Sequence, residues 1–389
     1  MSLRREAVIA LMLHKQHLAV GSTGEEVLPV LDDLLGLHAT VALSPYLQLR
    51  ARMRTFAPDQ LDALLDEGRA AKLACMRRTL FIESAELVPL VFAATRGLTV
   101  RDRERFLAAY GLTPRRYERV AERVARALAE HTLDASELRD AIAAREPLSP
   151  VIIVMCDQAR LVRWKGSGGW QSARPRYRRF EEALPDVRLD TWEEHTAARA
   201  LVECYVRRYG PVSESDIAWW TGLRKTTVRD ALATSTNLVQ ATIEGLDGVF
   251  LIHEADVDPA QRPAASPTGQ VSLLPVLDPY LQGYRNRERC VDPPLLPFVV
   301  DRGGNTTSVI LIDGRAAGVW DFVAKPSPEV RLFFFDSLDA QTRRRVRTLA
   351  AELAGFLTDH PVPVVERNRM TPLTQRTAGR FLSPLKDPH

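Results

Sequence analysis

The chain has 389 residues, 46% of them apolar and 26% charged, with 52 Lys and Arg against 49 Asp and Glu. Such a length holds about two to four domains, and the composition excludes a disordered, collagen-like or disulfide-stapled chain. No run approaches about 18 apolar residues, so no helical membrane span is expected, and a net charge of +3 does not by itself name a nucleic-acid partner. The N-terminus enters a helical pattern without an apolar core and cleavage site, which predicts a cytoplasmic protein. Cys75, Cys156, Cys204 and Cys290 form no CxxC pair and read as buried thiols in a reducing compartment. His14 and His17 have no third ligand nearby, so neither metal nor cofactor is expected.

In chain order, the first hundred residues read as helices followed by a short β piece. Leu28, Val30, Leu31, Leu34, Leu35 and Leu37 share a helical face after a glycine-bounded turn at 21–26. Residues 46–56 read as a helix stopped by Pro58, and 58–62 begin another. Residues 72–81 read as strand, turn and strand, and helices followed by such a hairpin make a winged-helix outline. A helix is predicted from Thr113 to about His131, and 133–137 cap the next. The apolar run 151–155 reads as a strand leading to a flexible hairpin around Gly166 to Gly169. Residues 193–233 read as three helices broken at Gly210-Pro211 and Thr221-Gly222, the third with the length of a recognition helix. A bundle that merely packs is the bland alternative. From Leu238 onward short β-rich runs alternate with Gly and Pro turns, as in a small barrel or sandwich, and Asp313-Gly314 marks a tight hairpin. A helix at 339–357 follows, and the tail after Thr371 is expected to be loosely ordered.

Charge concentrates in one place. Arg160, Arg163, Lys165, Arg174, Arg176, Arg178 and Arg179 fall within twenty residues that hold no acid, and Trp164, Trp170 and Tyr177 lie among them. Basic groups there would neutralise phosphates, and an aromatic at a hairpin tip would wedge into a base stack. The other reading is a solvated loop whose tryptophans cover a domain seam.

Residues Leu35-Gly36-Leu37-His38-Ala39-Thr40, followed by Pro45-Tyr46-Leu47-Gln48-Leu49-Arg50-Ala51-Arg52, resemble the opening of the AlkZ-like winged-helix DNA glycosylases. That bacterial family includes enzymes that remove bulky alkylated purines and unhook interstrand crosslinks. Met76-Arg77-Arg78-Thr79-Leu80-Phe81 resembles its Arg-Gly-Thr-Leu-His segment, with Arg78 and Phe81 where Gly and His would stand. Tyr209-Gly210-Pro211 and Trp220-Thr221-Gly222-Leu223 resemble its internal winged helix. The stretch from Leu274-Pro275 through Asp278-Pro279-Tyr280 to Arg285-Asn286-Arg287 resembles its barrel motif, and Gly303-Gly304-Asn305 with 309–320 resemble the strands that follow. The likeness runs over residues 5–365 in the family's order.

The resemblance implies an α+β fold in which tandem winged-helix units are followed by a small β-barrel-like domain, together forming a concave cradle for double-stranded DNA. The units are expected at 1–100 with the catalytic motif, 101–192 with the basic hairpin and 193–237. The barrel-like domain with its helix is expected at 238–370 and the tail at 371–389. The family's motif, Gln, an apolar residue, then Gln or Asp, falls on His38, Ala39 and Thr40, so this chain departs at both functional positions. Some relatives in producers of genotoxic antibiotics have His at the first position and Gln at the third.

The chemistry follows from the substrate. N7-alkylation of guanine makes the base a cationic leaving group, so the enzyme need mainly hold water at C1′ and stabilise an oxocarbenium-like sugar. Neutral His38, with an ordinary pKa of about 6.5, can accept the water's proton, a role worth roughly 10²–10⁴-fold in rate. Thr40 offers one hydroxyl to orient water or His38, and the two side chains point the same way only where the segment is extended. Asp278 either stabilises the sugar cation or pairs with Arg285 or Arg287. DNA contacts are expected from Arg163, Trp164, Lys165, Trp170, Arg174, Arg176, Arg178, Arg179, Lys225, Arg229, Arg285 and Arg287. The helix bearing Lys225 and Arg229 packs inward on the alternative reading. No lysine occupies the motif, which disfavours Schiff-base lyase chemistry. The expected function is a monomeric, monofunctional DNA glycosylase acting on bulky N7-alkylguanine, for self-resistance to a genotoxic natural product. The rival is a non-catalytic winged-helix DNA-binding protein, either adduct-sequestering or a transcriptional regulator. A protein-interaction module is a third reading.

Overall fold

The protein, here as a computed structural model, is described over residues 1–100, 103–262, 268–376 and 384–385. Three open sheets carry its β structure. The sheet that matters most for the site has six antiparallel strands. They run, side by side, Leu37–His38, Leu80–Ser84, Ala70–Ala74, Leu161–Gly166, Pro175–Arg179 and Leu133–Asp134. The predicted strand, turn and strand at 72–81 is thus the middle of this sheet. Its turn holds Arg77 and Arg78 at φ 54° and 61°, the left-handed region that non-glycine residues seldom occupy.

The run at 151–155 is not a strand. Residues Leu148–Asp157 form an α-helix in which Val151, Ile152, Val154 and Met155 are buried and only Ser149 and Ile153 are exposed. An uninterrupted apolar run carries no period, so a helix buried nearly all round reads the same as a buried strand. The strand entering the hairpin begins later, at Leu161.

The helix expected at 46–56 spans Ser44–Arg50, and the helical face expected through Leu37 ends at Asp33, because Leu35 takes a positive φ and Leu37 enters a strand. Further along the chain the local signals match better. Helices Glu194–Tyr209, Glu214–Thr221 and Lys225–Ala233 are followed by the antiparallel pair Leu238–Ile243 and Leu246–His253. Ser213 and Asp216 form a capping box at the start of the second helix, and Gly222 ends it at φ 77°. Asp134 caps Ala135–Ala141 and Asp339 caps Ala340–Thr358.

The β-rich region is not a barrel. Its first two runs, 238–243 and 246–253, pair with each other, and the first also with Ser2–Leu3, in a separate three-stranded sheet. The rest form an open five-stranded sheet, Val271–Leu274, Val309–Ile312, Arg315–Val323, Glu329–Phe334 and Val364–Glu366, in chain order. Asp313 and Gly314, at φ 52° and 78°, make the two-residue hairpin that the dipeptide predicted. The last pair is parallel because helix Ala340–Thr358 crosses between its strands. That helix also explains why the sheet stays open. Val346, Ala350, Leu353, Ala354 and Leu357 cover Ile310, Trp320, Val330 and Leu332, burying a face that closure would otherwise have to bury.

The expectation of a loose tail after Thr371 falls mostly outside the described residues; within them Leu373 and Leu385 are buried. All four cysteines are free thiols, and three are buried. Among the described residues no helix is long and apolar enough to cross a membrane, and no three His, Cys, Asp or Glu side chains are grouped to hold a metal ion.

Candidate functional site

The motif segment is delivered by a left-handed turn. After helix Val27–Asp33, Leu35 and Gly36 adopt φ 52° and 90° and swing the chain into the two-residue strand Leu37–His38. Gly36 is required there on two grounds, its positive φ and the Glu83 carboxyl, an oxygen of which would lie 2.1 Å from any Cβ. His38 pairs with Phe81 in the sheet, its ring centroid 4.9 Å from the Phe81 ring, and it is 4% exposed. Nδ1 is buried without a hydrogen-bond partner. Burial, aided by the nearby positive charges of Arg77 and Lys72, lowers the imidazole pKa to about 3, so His38 is neutral near pH 7.

Register separates His38 from Thr40. Phe81 lies opposite both His38 and Leu73, which puts these three side chains on one face of the sheet. Lys72 lies opposite Ile82 and Arg163, so those side chains occupy the other face. Ala39 continues the ladder, its N–H donating to the Leu80 carbonyl over 2.7 Å. Beyond it Thr40 is exposed and lines a cleft on the Lys72 face together with Tyr46, Arg163, Trp164, Lys165 and Trp170. The motif's two polar positions therefore part company: His38 packs on Phe81 and does not line the cleft that Thr40 enters.

A buried polar helix ties His38 to Asp278. In Ser44–Arg50, Gln48 Nε2 donates to the His38 carbonyl at 3.0 Å and to Ser44 Oγ at 2.9 Å, while Ser44 Oγ donates to the Val276 carbonyl at 2.6 Å. Just past this helix, Arg52 donates to the Gln48 carbonyl and, through both terminal nitrogens, to the Asp278 carboxylate. Asp278 also caps Pro279–Gln282, accepting the Tyr280 N–H at 2.9 Å. The partner of Asp278 is thus neither Arg285 nor Arg287. Sequence reasoning missed Arg52, although it closes the Pro45 to Arg52 stretch of the motif.

The remaining predicted residues divide by what they touch. Arg287 is buried and donates to the carbonyls of Leu281, Arg285 and Gly304. Arg285 is exposed, its backbone N–H held by buried Asp216, and its guanidinium lies 5.1 Å from the Trp219 ring centre. Arg77, which sequence reasoning did not single out, stacks on the same ring at 3.8 Å. Lys225 is exposed, whereas Arg229 pairs with Glu214 at 2.9 Å.

The acid-free run meets its acids from elsewhere in the chain. Lys165 pairs with Asp66 at 2.6 Å and Arg176 with Glu137 at 3.2 Å, while Arg179 pairs with Glu182 at 2.5 Å and Glu181 at 3.4 Å. Arg178 lies over the Trp164 ring at 5.5 Å. Arg174 is exposed. Trp170 packs 5.2 Å from both Tyr46 and Phe356, which places it in the seam between the hairpin and helix Ala340–Thr358.

The protein-family model described as DNA glycosylase AlkZ-like matches residues 31–356. Among solved structures, the Streptomyces sahachiroi DNA glycosylase AlkZ is similar in fold, with a TM-score of 0.75 at 19% sequence identity. The alignment covers 94% of this chain and 100% of that one. No curated protein matches the chain in sequence.

Proposed function

The chain belongs to the AlkZ-like DNA glycosylase family, and from that premise we propose that it hydrolyses the N-glycosidic bond of bulky N7-alkylguanine adducts in double-stranded DNA. The family match over residues 31–356 carries this reading. The likeness in fold to AlkZ supports an arrangement of winged-helix units and an open sheet cradling the duplex. The three helices and hairpin over 194–253 serve as one such unit.

His38 is the centre of the mechanism. Its neutral ring offers a buried, partnerless Nδ1 as an acceptor for the attacking water. A pKa near 3 makes the imidazole a poor proton acceptor at neutral pH, so it orients the water rather than ionising it. That suffices because a cationic purine leaves readily and the proton departs after the sugar cation has formed. Thr40, in the cleft on the Lys72 face of the sheet, meets the DNA strand rather than the same water. Asp278 is a positioning residue, since both its oxygens are committed to Arg52 and the connected helix holds the His38 carbonyl. The exposed Arg174, Lys225 and Arg285 contact phosphates. No lysine stands in the motif, and the enzyme is monofunctional. It works as a cytoplasmic monomer protecting a bacterium from a genotoxic natural product.

The test is single-turnover base release from a duplex carrying one defined N7-guanine adduct, simple methyl and bulky polycyclic in parallel. Release of free modified base that is lost in His38→Ala supports the glycosylase. Tight adduct binding without release replaces it with an adduct-sequestering protein, a reading that the loss of both Gln positions favours.

A further inference from the structure

We propose that the cleft between Thr40 and the Leu161–Gly166 and Pro175–Arg179 hairpin is a phosphate-binding pocket, occupied by a phosphate of the DNA strand. The strand as occupant rests on the glycosylase reading; the pocket's chemistry does not.

The cavity has a volume of about 120 Å³, and its lining contains Thr40, Lys72, Arg163, Trp164 and Lys165 but no Asp or Glu. Three of its donors lack acceptors. Arg163 Nη1 and Trp164 Nε1 are buried with no hydrogen-bond partner. Lys72 makes no hydrogen bond or ion pair among the described residues, although it is half-buried and lies directly across the strands from Arg163. Buried donors are nearly always matched, so several unmatched around one cavity call for an acceptor from outside. Burial, and after it the Arg163 charge, pulls Lys72 down to about 8.

The nearby carboxylates stay outside the lining. Asp66 holds Lys165, and Asp62 accepts the Tyr46 hydroxyl at 2.6 Å. Asp157 acts on Arg163 electrostatically without entering the lining. Trp164 has further cations near its ring, Lys165 at 5.2 Å and Arg178 at 5.5 Å. A cavity this size is well below the roughly 300–1,000 Å³ of sites that swallow drug-sized molecules, so a bulky adduct does not fit and a tetrahedral oxyanion does. Guanidinium, ammonium, indole N–H and hydroxyl donors suit a phosphate group, which accepts from several directions.

The shared chemistry is a phosphate group, supplied by the strand or by free phosphate. The full chain and its Lys72→Met, Arg163→Met and Trp164→Phe variants are titrated with an undamaged duplex over a range of salt. They are also titrated with inorganic phosphate at fixed ionic strength. The expected result is a loss of about tenfold in duplex affinity for either cation variant, with the salt slope reduced by about 1. Trp164→Phe keeps the ring and the fold and removes one donor, so it weakens binding a few-fold with the slope unchanged. Phosphate binding lost in the variants while duplex affinity stays intact overturns the strand as occupant and leaves a free-phosphate pocket. Duplex and phosphate binding both unchanged in folded variants overturn the pocket. Failure of the native chain to release an adduct bears only on the glycosylase reading, because these titrations need no base release.

Discussion

Arg52 and Asp278, 226 residues apart in the chain, meet through two parallel hydrogen bonds of 2.8 and 2.7 Å where neither is more than 1% exposed. A carboxylate committed at both oxygens is not available to a sugar cation, yet its partner fixes the helix that holds the His38 carbonyl. Removing one member of a buried pair leaves an uncompensated charge, so Asp278→Ala should lose about 3–5 kcal/mol of stability. Urea unfolding measures this. Full stability with base release abolished would instead give Asp278 a direct part in the chemistry. Replacing both partners by apolar residues should recover much of the loss.

For His38 the prediction concerns pH. The folded imidazole titrates near 3, below its ordinary 6.5. Between those values the unfolded chain binds a proton that the folded chain refuses, so stability present above pH 6.5 is lost as pH falls toward 3. Base release should therefore show no inflection near pH 6.5. His38→Gln should retain much of the rate and His38→Ala should lose about 10²-fold. A rate that halves near pH 6.5 in the native chain and not in His38→Gln would mean that His38 titrates in place.

Glu83 gives the opposite sign. Burial, with Asp32 adding like charge, raises this carboxyl from 4.5 to about 8 beneath Gly36. From pH 4.5 to 8 the folded chain keeps a proton that the unfolded chain has released, so this contribution to stability falls as pH rises through that window. Glu83→Gln should flatten the decline and raise the melting temperature above pH 8. Melting curves from pH 5 to 9 for both proteins decide it; parallel curves would show that Glu83 is ionised throughout.

The basic hairpin should not respond uniformly. Arg174 is exposed, whereas Arg176 and Arg179 are engaged by Glu137 and Glu182. Arg174→Ala should weaken duplex binding and reduce the salt slope by about 1, while Arg179→Ala should change both less. Anisotropy titrations over a salt series compare them, and equal effects would indicate that the ion pairs open on DNA. Arg287→Ala should act on stability, because its donors hold three backbone carbonyls.

The Asp134 cap, the Asp313-Gly314 hairpin and the Gly222 helix end were legible because each is decided within about four residues. The motif at 35–52 likewise pointed to the family without any contact being known. The helix at 148–157 was not legible, since a uniformly apolar run has no period to read, and neither was the open sheet, whose closure depends on what covers its face. The site depends still more on distance in the chain. From sequence Asp278 is either free for the sugar cation or paired with nearby Arg285 or Arg287, whereas its partner is Arg52 from 226 residues away, and the basic run reads as unpaired until Asp66 and Glu137 fold against it. His38 and Thr40 stand two apart in sequence, but strand register sets His38 on one face of the sheet while Thr40, past the strand's end, opens onto the other. Residue type and local spacing therefore settled the turns, the caps and the family, while pairing, burial and facing were decided by tertiary structure, because they depend on which distant groups exclude water from the same place.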